Sequence, residues 1–492
     1  MPFDRTFHPD EANQAFTTGR LLETGRYTYQ PQDHHGPTLY YAAAALQRAA
    51  GHTDTASLDG TLLRCTPLVF AVLALVFGIF ALKRLTKSVF PGLVFALLLG
   101  TSAFFAFFAT DFIQETLLAC FLVMMFWAGT GYLCPGTKWK TGTWALFFGT
   151  ATALAFATKE TCLISFAAAA IAAAPFLVKR MSFDAVRART RDGILAVLGF
   201  FIVTFILYSD FGHDFRGVYN AFIAAPLSYL GRAAGDATAS TGANWHVHPW
   251  WQYIRWIYDG NSALFAFFLV ASAAAFAVSR RASETTARAF RFTLCYALAT
   301  LAIYSLIPYK TPWCAVQIEV PLVLASVLGL VCVAEALPRF KWFPLAVIPV
   351  FLLAFNVPAL VRMNRDPDST ANPCNYAAAS PEVKELAQTV ASAMSSATNQ
   401  SPFIAVALPA ADTWPFPWYN RPYESVTGYW DSFDDLKRLA ETGIKPTVVI
   451  VPMEEGHLVQ PFFPHLKHTK RFYMRPRIPE RKVKGVRVRV FW

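Results

Sequence analysis

Apolar runs of about 17–24 residues, separated by short polar clusters, repeat along the chain as far as residue 361. They predict ten membrane spans, near residues 62–82, 90–109, 112–133, 144–158, 161–178, 193–210, 260–279, 292–308, 313–336 and 342–361. The pattern then changes to that of a soluble segment. Helices are expected at Pro381–Ser395 and Phe433–Thr442. Strands are expected at Phe403–Leu408, Thr447–Val451, Arg471–Arg475 and Val483–Phe491. This alternation predicts a small α/β domain with a partly parallel sheet. The expected organisation is a first outer loop (1–60), a membrane body (61–361) and an extracytoplasmic α/β domain (362–492).

Composition agrees with membrane residence. Only 15% of the residues are charged, against about 25% in soluble domains. The net charge of +11 does not indicate nucleic acid, because its Lys and Arg sit in short loops between spans. One set of loops carries Lys83, Arg84 and Lys87; Lys138 and Lys140; Lys179, Arg180, Arg187, Arg189 and Arg191; Arg280, Arg281, Arg288 and Arg291; and Arg339 with Lys341. The opposite set, between the spans, carries far fewer: Lys159, Arg216, Arg232, Arg255 and Lys310. This asymmetry places the first set in the cytoplasm of a cell whose inner membrane holds the protein. Residues 1–60 and the tail then lie outside. Nothing before residue 10 can carry the N-terminus across, so a first span upstream of Met1 is expected, the alternative being an N-terminus that translocates unaided. The eight cysteines contain no C-x-x-C, and Cys65, Cys120, Cys162, Cys295 and Cys332 fall within apolar runs. Cys374 stands alone in the tail.

The outer loops hold the candidate chemistry. Ionisable groups at span ends are costly unless they pair or face a wet cavity. Asp10 and Glu11 follow His8-Pro9, and they also fit a solvated helix start. Asp111 and Glu115 lie about one turn apart, where they can share a helix face or cap a span. Lys159 is followed by Glu160, and a lysine there can snorkel. His35 opens a His-Gly-Pro turn. His246 and His248 could be metal ligands, but H-x-H alone is a weak signal, an interfacial aromatic belt explains the neighbouring Trp250 and Trp251 equally well, and no metal is assigned. Lys310 stands between Pro308 and Pro312, flanked by Tyr309 and Trp313, where irregular backbone is tolerated if it lines a cavity. Carboxylates suit a general base, and lysines suit a phosphate leaving group.

His8-Pro-Asp-Glu11, His35-Gly-Pro37, Phe112-Ile-Gln-Glu115, Ala157-Thr-Lys-Glu-Thr161, Pro308-Tyr-Lys-Thr-Pro-Trp313 and Trp414-Pro-Phe-Pro-Trp-Tyr419 together resemble the GT-C membrane glycosyltransferases. That superfamily includes protein O-mannosyltransferases and aminoarabinose transferases. The motifs are most similar to a bacterial and archaeal flippase-activity-associated branch, and the likeness spans nearly the whole chain. It implies an α-helical polytopic fold and transfer, with inversion, of a sugar from a polyprenyl-phosphate lipid to a glycan, lipid or protein acceptor. It also implies a base role for Asp10, with Glu11 beside it, and a second acidic position at Glu115, with Asp111 as competitor. Lys159 and Lys310 are the expected phosphate holders. His8, His35, His246, His248, Tyr309 and Trp313 are the expected substrate contacts.

The rival reading is a non-catalytic flippase accessory or transporter handling lipid-linked sugars. Transporters more often show internal repeats and charges near the midplane, whereas here the ionisable groups gather at one rim. The Trp414–Tyr419 run is too aromatic for a solvated loop, and fits sugar stacking or packing of the tail onto the body.

Overall fold

The computed structural model describes residues 2–134, 139–177, 183–233, 246–337, 342–367, 369, 371–376, 378–397, 401–476 and 485–492. Lys138, Lys179, Arg180, Arg339 and Lys341 lie outside the described residues, as does the side chain of Arg187.

Helices α1 (Pro9–Thr24) and α2 (Thr38–Ala49) precede the first apolar helix. The membrane body follows as α3 (Gly60–Thr86), α4 (Phe90–Gly100), α5 (Ala103–Phe108), α6 (Glu115–Leu133), α7 (Thr141–Phe156), α8 (Cys162–Leu177) and α9 (Phe183–Tyr208). Short helices α10 (Phe215–Tyr219) and α11 (Ala225–Ala233) then lead to α12 (Gln252–Val278), α13 (Glu284–Leu306), α14 (Ala315–Ala336) and α15 (Trp342–Arg365). Each of the ten expected spans coincides with one of these helices, or with the pair α4 and α5. Among the described residues, seven helices are long and apolar enough to cross a membrane: α3, α6, α9, α12, α13, α14 and α15. Phe90–Gly100 and Cys162–Phe176 are shorter apolar helices. The protein is a multi-pass membrane protein. Its outward faces agree: Phe201 and Ile202 of α9 are each 54% exposed, and Val350 and Phe351 of α15 point outward. Apolar surface of that extent is stable against lipid and not against water.

Helix α14 is the axis of the body and is almost wholly buried between its neighbours α12 and α13. Close approach elsewhere depends on small residues. A Cβ at Gly149 of α7 would come within 1.9 Å of the Ala196 carbonyl of α9, so a side chain there would push the two helices apart.

The structure departs from the expected spans where polar groups capture the backbone. The second span breaks at Thr101-Ser102, because Glu319 of α14 accepts hydrogen bonds from Ser102 Oγ (2.8 Å) and Phe105 N (3.0 Å). The same carboxylate accepts from Asn261 Nδ2 at 2.5 Å, where α12 kinks. The third span starts at Glu115 and not at 112, so Asp111 lies in a non-helical loop and shares no helix face with Glu115.

The tail forms α16 (Glu382–Ser395), β1 (Ile404–Ala407), α17 (Ala410–Thr413), α18 (Phe416–Asn420), β2 (Thr427–Trp430), α19 (Phe433–Glu441), β3 (Val448–Pro452), β4 (Thr469–Arg475) and β5 (Val486–Phe491). The five-stranded sheet has the order β2-β1-β3-β5-β4. β1 is parallel to β2 and β3, while β5 runs antiparallel to β3 and β4. Strand β2 was not expected: Thr427-Gly-Tyr-Trp430 is short, contains glycine and sits at the sheet edge. Val448–Val451 are fully buried, as expected for a central strand covered on both faces.

Candidate active site

The site is built on the start of α1. His8 is its N-cap, with Nδ1 accepting from Asp10 N at 3.1 Å. His8 Nε2 therefore carries the proton, and donates to the Tyr376 carbonyl at 2.6 Å. Glu11 closes the capping box by accepting from His8 N at 2.9 Å. Its carboxylate is 1% exposed and bonds Arg64 of α3 through both oxygens, at 2.8 Å from Nε and 2.7 Å from Nη2. It also accepts from Phe112 N at 2.8 Å. Burial alone would raise its pKa, but the Arg64 guanidinium and the backbone donors outweigh burial and hold it below the usual carboxylate value. Glu11 is thus a fixed anion with its lone pairs committed.

Asp10, one residue earlier, points the other way. Its side chain is 49% exposed and lies 3.9 Å from His8 Nδ1, which is already occupied by the Asp10 N–H. Its carboxylate accepts no hydrogen bond among the described residues. Asp111 is held by Arg5, with 2.6 Å between Oδ1 and Nη2. Arg5 also donates to Thr110 Oγ1 (2.6 Å) and stacks on the Phe107 ring. Burial raises the Asp111 pKa to about 6, since Arg5 lowers it only in part and Glu11 pushes it up further.

A second set of charged groups, Glu115, Lys159 and Glu160, is buried in the body. Lys159 Nζ donates to Glu115 Oε1 at 2.5 Å, and both groups are buried. The other Glu115 oxygen, Oε2, is buried with no hydrogen-bond partner among the described residues. Burial opposes the Lys159 charge, but Glu115 wins and raises its pKa. Lys159 and Glu160 do not pair with each other. Glu160 accepts from Tyr29 OH and contacts His35 Nδ1 at 2.8 Å, and Tyr229 OH reaches the same nitrogen at 2.9 Å. Burial opposes its charge, yet these partners hold the Glu160 pKa at about 2. Gly36 permits this: a Cβ there would meet the Ala157 carbonyl at 2.2 Å.

Lys310 is 1% exposed and has no carboxylate within ion-pair distance among the described residues. Its ammonium caps the end of α13, donating to the carbonyls of Ser305 (2.9 Å) and Ile307. Desolvation pushes its pKa down to about 8. The loop is fixed by an antiparallel bridge between Val247 and Tyr309, and Lys310 N donates to the His246 carbonyl at 2.8 Å. His246 stacks on Tyr309 and bonds Tyr376 OH through Nδ1 at 2.7 Å, while His248 lies edge-on to Trp256. Among the described residues no group of three or more His, Cys, Asp or Glu is placed to hold a metal ion.

A cavity of about 270 Å³ opens over this arrangement. One wall is made by residues 4–11 and 107–113, and another by the end of α15 with residues 374–384. His8, Asp10, Glu11, Asp111 and Trp313 line it. Glu115, Lys159, Lys310, His35, His246, His248 and Tyr309 do not. Residues without a motif complete the site. Arg5 and Arg64 hold the two acids, and Tyr376 joins His8, His246 and Trp313. Arg64 left one sequence signal, an arginine in the first turn of an apolar helix, where it needs a buried partner. The Trp414–Tyr419 run packs the tail onto the first loop: Trp418 stacks on Phe7 with centroids 4.6 Å apart, and Phe7 N donates to Tyr419 OH at 2.8 Å.

No family model matches the chain, and no curated protein matches it by sequence. Solved structures do match. The aminoarabinose transferase ArnT of Cupriavidus metallidurans bound to undecaprenyl phosphate aligns with a TM-score of 0.65 at 12% identity, over 99% of this chain and 94% of that one. Its apo form gives 0.61 over the same shares. The Archaeoglobus fulgidus oligosaccharyltransferase in complex with Zn and sulfate gives 0.51 at 12% identity, over 92% of this chain and 65% of that one. The likeness is one of architecture: this chain shares the fold of those two proteins.

Proposed function

We propose that the protein is a membrane glycosyltransferase moving a sugar from a polyprenyl-phosphate donor to a hydroxyl acceptor on the extracytoplasmic face. One observation carries the reading: Asp10 presents an uncommitted carboxylate to a cavity, beside a glutamate whose oxygens are all taken. A general base must be free to receive a proton, and only Asp10 of that pair is. The Asp10 carboxylate takes the acceptor hydroxyl proton as the oxygen attacks the anomeric carbon. The bond from that carbon to the phosphate oxygen breaks, and the electron pair leaves with the phosphate. We assign the charge developing on that phosphate to Lys159, which retains two N–H groups, and Lys310, which retains one; both are buried outside the cavity lining, so the donor phosphate would have to reach them from behind that wall. The fold it shares with a transferase solved with undecaprenyl phosphate supports this donor class. The test is release of polyprenyl phosphate from a radiolabelled polyprenyl-phosphate sugar by the purified protein in lipid. Movement of the intact lipid without release would favour the flippase accessory.

Lys310 supplies a pH prediction. Its ammonium loses the proton as pH rises through about 8, so donor use should fall above that pH. Arginine keeps its charge throughout. Lys310→Arg should therefore retain part of the activity and lose the alkaline fall, whereas Lys310→Met should lose most donor use at every pH. A pH profile at limiting donor decides the matter. An unaltered Lys310→Met profile would remove Lys310 from the phosphate site.

We further propose an inner-membrane protein whose α/β domain, residues 362–492, lies outside the cytoplasm, a reading supported by the Lys/Arg asymmetry of the loops. Cys374 is buried and unsuited to surface labelling. A reporter fused after Trp492 should instead be active only if it folds outside. A fusion active only in the cytoplasm overturns the orientation.

A further inference from the structure

The cavity wall formed by α15 and the tail carries polar groups that the proposed reaction does not use. Arg365, the last residue of α15, lines the cavity, and its guanidinium makes no ion pair with the described residues. Lys384 of α16 lines it too, half-buried. Its Nζ donates once, to the Asp4 carbonyl at 2.5 Å, which leaves two donors. Burial and the nearby Arg64 charge both work against its proton, and only Asp4 favours it. A lysine held there is poorly compensated by the protein alone. Asn364 completes the wall. Its Nδ2 is spent on the Leu360 carbonyl at 2.9 Å, but its Oδ1 is buried with no hydrogen-bond partner among the described residues. Buried acceptors are normally satisfied, so this oxygen is waiting for a donor.

An exposed guanidinium without an ion pair among the described residues, a half-buried lysine with two open donors and one idle acceptor on a single wall match a ligand bearing both an anion and a hydroxyl. The acids occupy the other wall, where Glu11 and Asp111 are neutralised by Arg64 and Arg5. We propose that this wall is an acceptor subsite for a phosphorylated or carboxylated sugar, with the anion on Arg365 and Lys384 and a hydroxyl donating to Asn364. The proposal rests on the glycosyltransferase reading. It also separates two cation sets, Lys159 with Lys310 for the donor phosphate and Arg365 with Lys384 for the acceptor.

Glucose 6-phosphate is a suitable probe, because its phosphate is not on the anomeric carbon and it does not mimic the donor. Saturation-transfer NMR on the full chain in zwitterionic nanodiscs should detect glucose 6-phosphate, displaceable by sulfate, and much weaker binding of glucose. Arg365→Gln/Lys384→Gln keeps an amide donor toward the Asp4 carbonyl but removes both charges. It should weaken glucose 6-phosphate by about 10-fold or more, the scale of one to two charge-assisted hydrogen bonds, and leave undecaprenyl phosphate binding unchanged. Asn364→Leu should weaken glucose and glucose 6-phosphate by the same factor. Equal binding of glucose 6-phosphate to wild type and double variant overturns the subsite. A parallel loss of undecaprenyl phosphate overturns it as well, by moving these cations to the donor. Binding is read without turnover, so an inactive protein with intact glucose 6-phosphate binding would sink the glycosyltransferase reading alone.

Discussion

Asp10→Asn should lower transfer by roughly 10²-fold or more, the usual scale for loss of a general base, while leaving the protein folded. The Asp10 side chain is half-exposed and accepts no hydrogen bond among the described residues, so the amide costs the fold little. Glu11→Gln is the contrasting variant. Glu11 accepts from Arg64 twice, from His8 N and from Phe112 N. An amide offers one acceptor oxygen and turns an NH2 toward existing donors. Glu11→Gln should therefore reduce activity together with thermal stability, and Asp10→Asn activity alone. Initial rates and melting curves on the same preparations separate the two. A fully active Asp10→Asn enzyme would pass the base role to Asp111 or Glu115.

The largest effect on stability is expected at Arg64. Removing one partner of a buried ion pair leaves an uncompensated charge and typically costs about 3–5 kcal/mol. Arg64→Met should fall in that range or beyond, because the guanidinium also donates to the carbonyls of Phe3 (3.1 Å) and Arg5 (2.9 Å). Glu11→Leu/Arg64→Met removes both charges and should recover part of the loss. The check is unfolding in mixed detergent, followed as a double-mutant cycle. If Arg64→Met and wild type unfold together, the pair is not what fixes the start of α1.

The membrane body was legible because lipid imposes a long apolar period on each span, and the tail because its strands are short apolar runs between turns. Helix breaks were not legible. The chain near Thr101-Ser102 is apolar on both sides, and the group that captures its backbone, Glu319, is more than 200 residues away. The acids and lysines at 10, 11, 111, 115, 159 and 310 stood out as charges beside apolar runs. Their pairing did not. Glu11 and Asp10 are neighbours of similar chemistry, and only the position of Arg64 makes one fixed and leaves the other free. Lys159 pairs across helices with Glu115 and not with adjacent Glu160. Arg365, Lys384 and Tyr376 belong to no motif, because their placement depends on how the tail docks.

That docking bears on biosynthesis. The loop holding Asp10 is made long before several of its restraints: Tyr376 on His8, Lys384 on Asp4, Tyr419 and Trp418 on Phe7, and Arg421 on the Leu58 carbonyl at 3.0 Å. A ribosome adds residues in order, and the early helices can enter the membrane long before those partners emerge. The nascent protein is thus inserted but unfinished until residues 362–492 have been made and have closed back on the Asp10 loop. A chain released early, for instance after Arg365, would occupy the bilayer with its proposed base unanchored, so the order of synthesis itself would keep incomplete copies from acting on lipid-linked sugars.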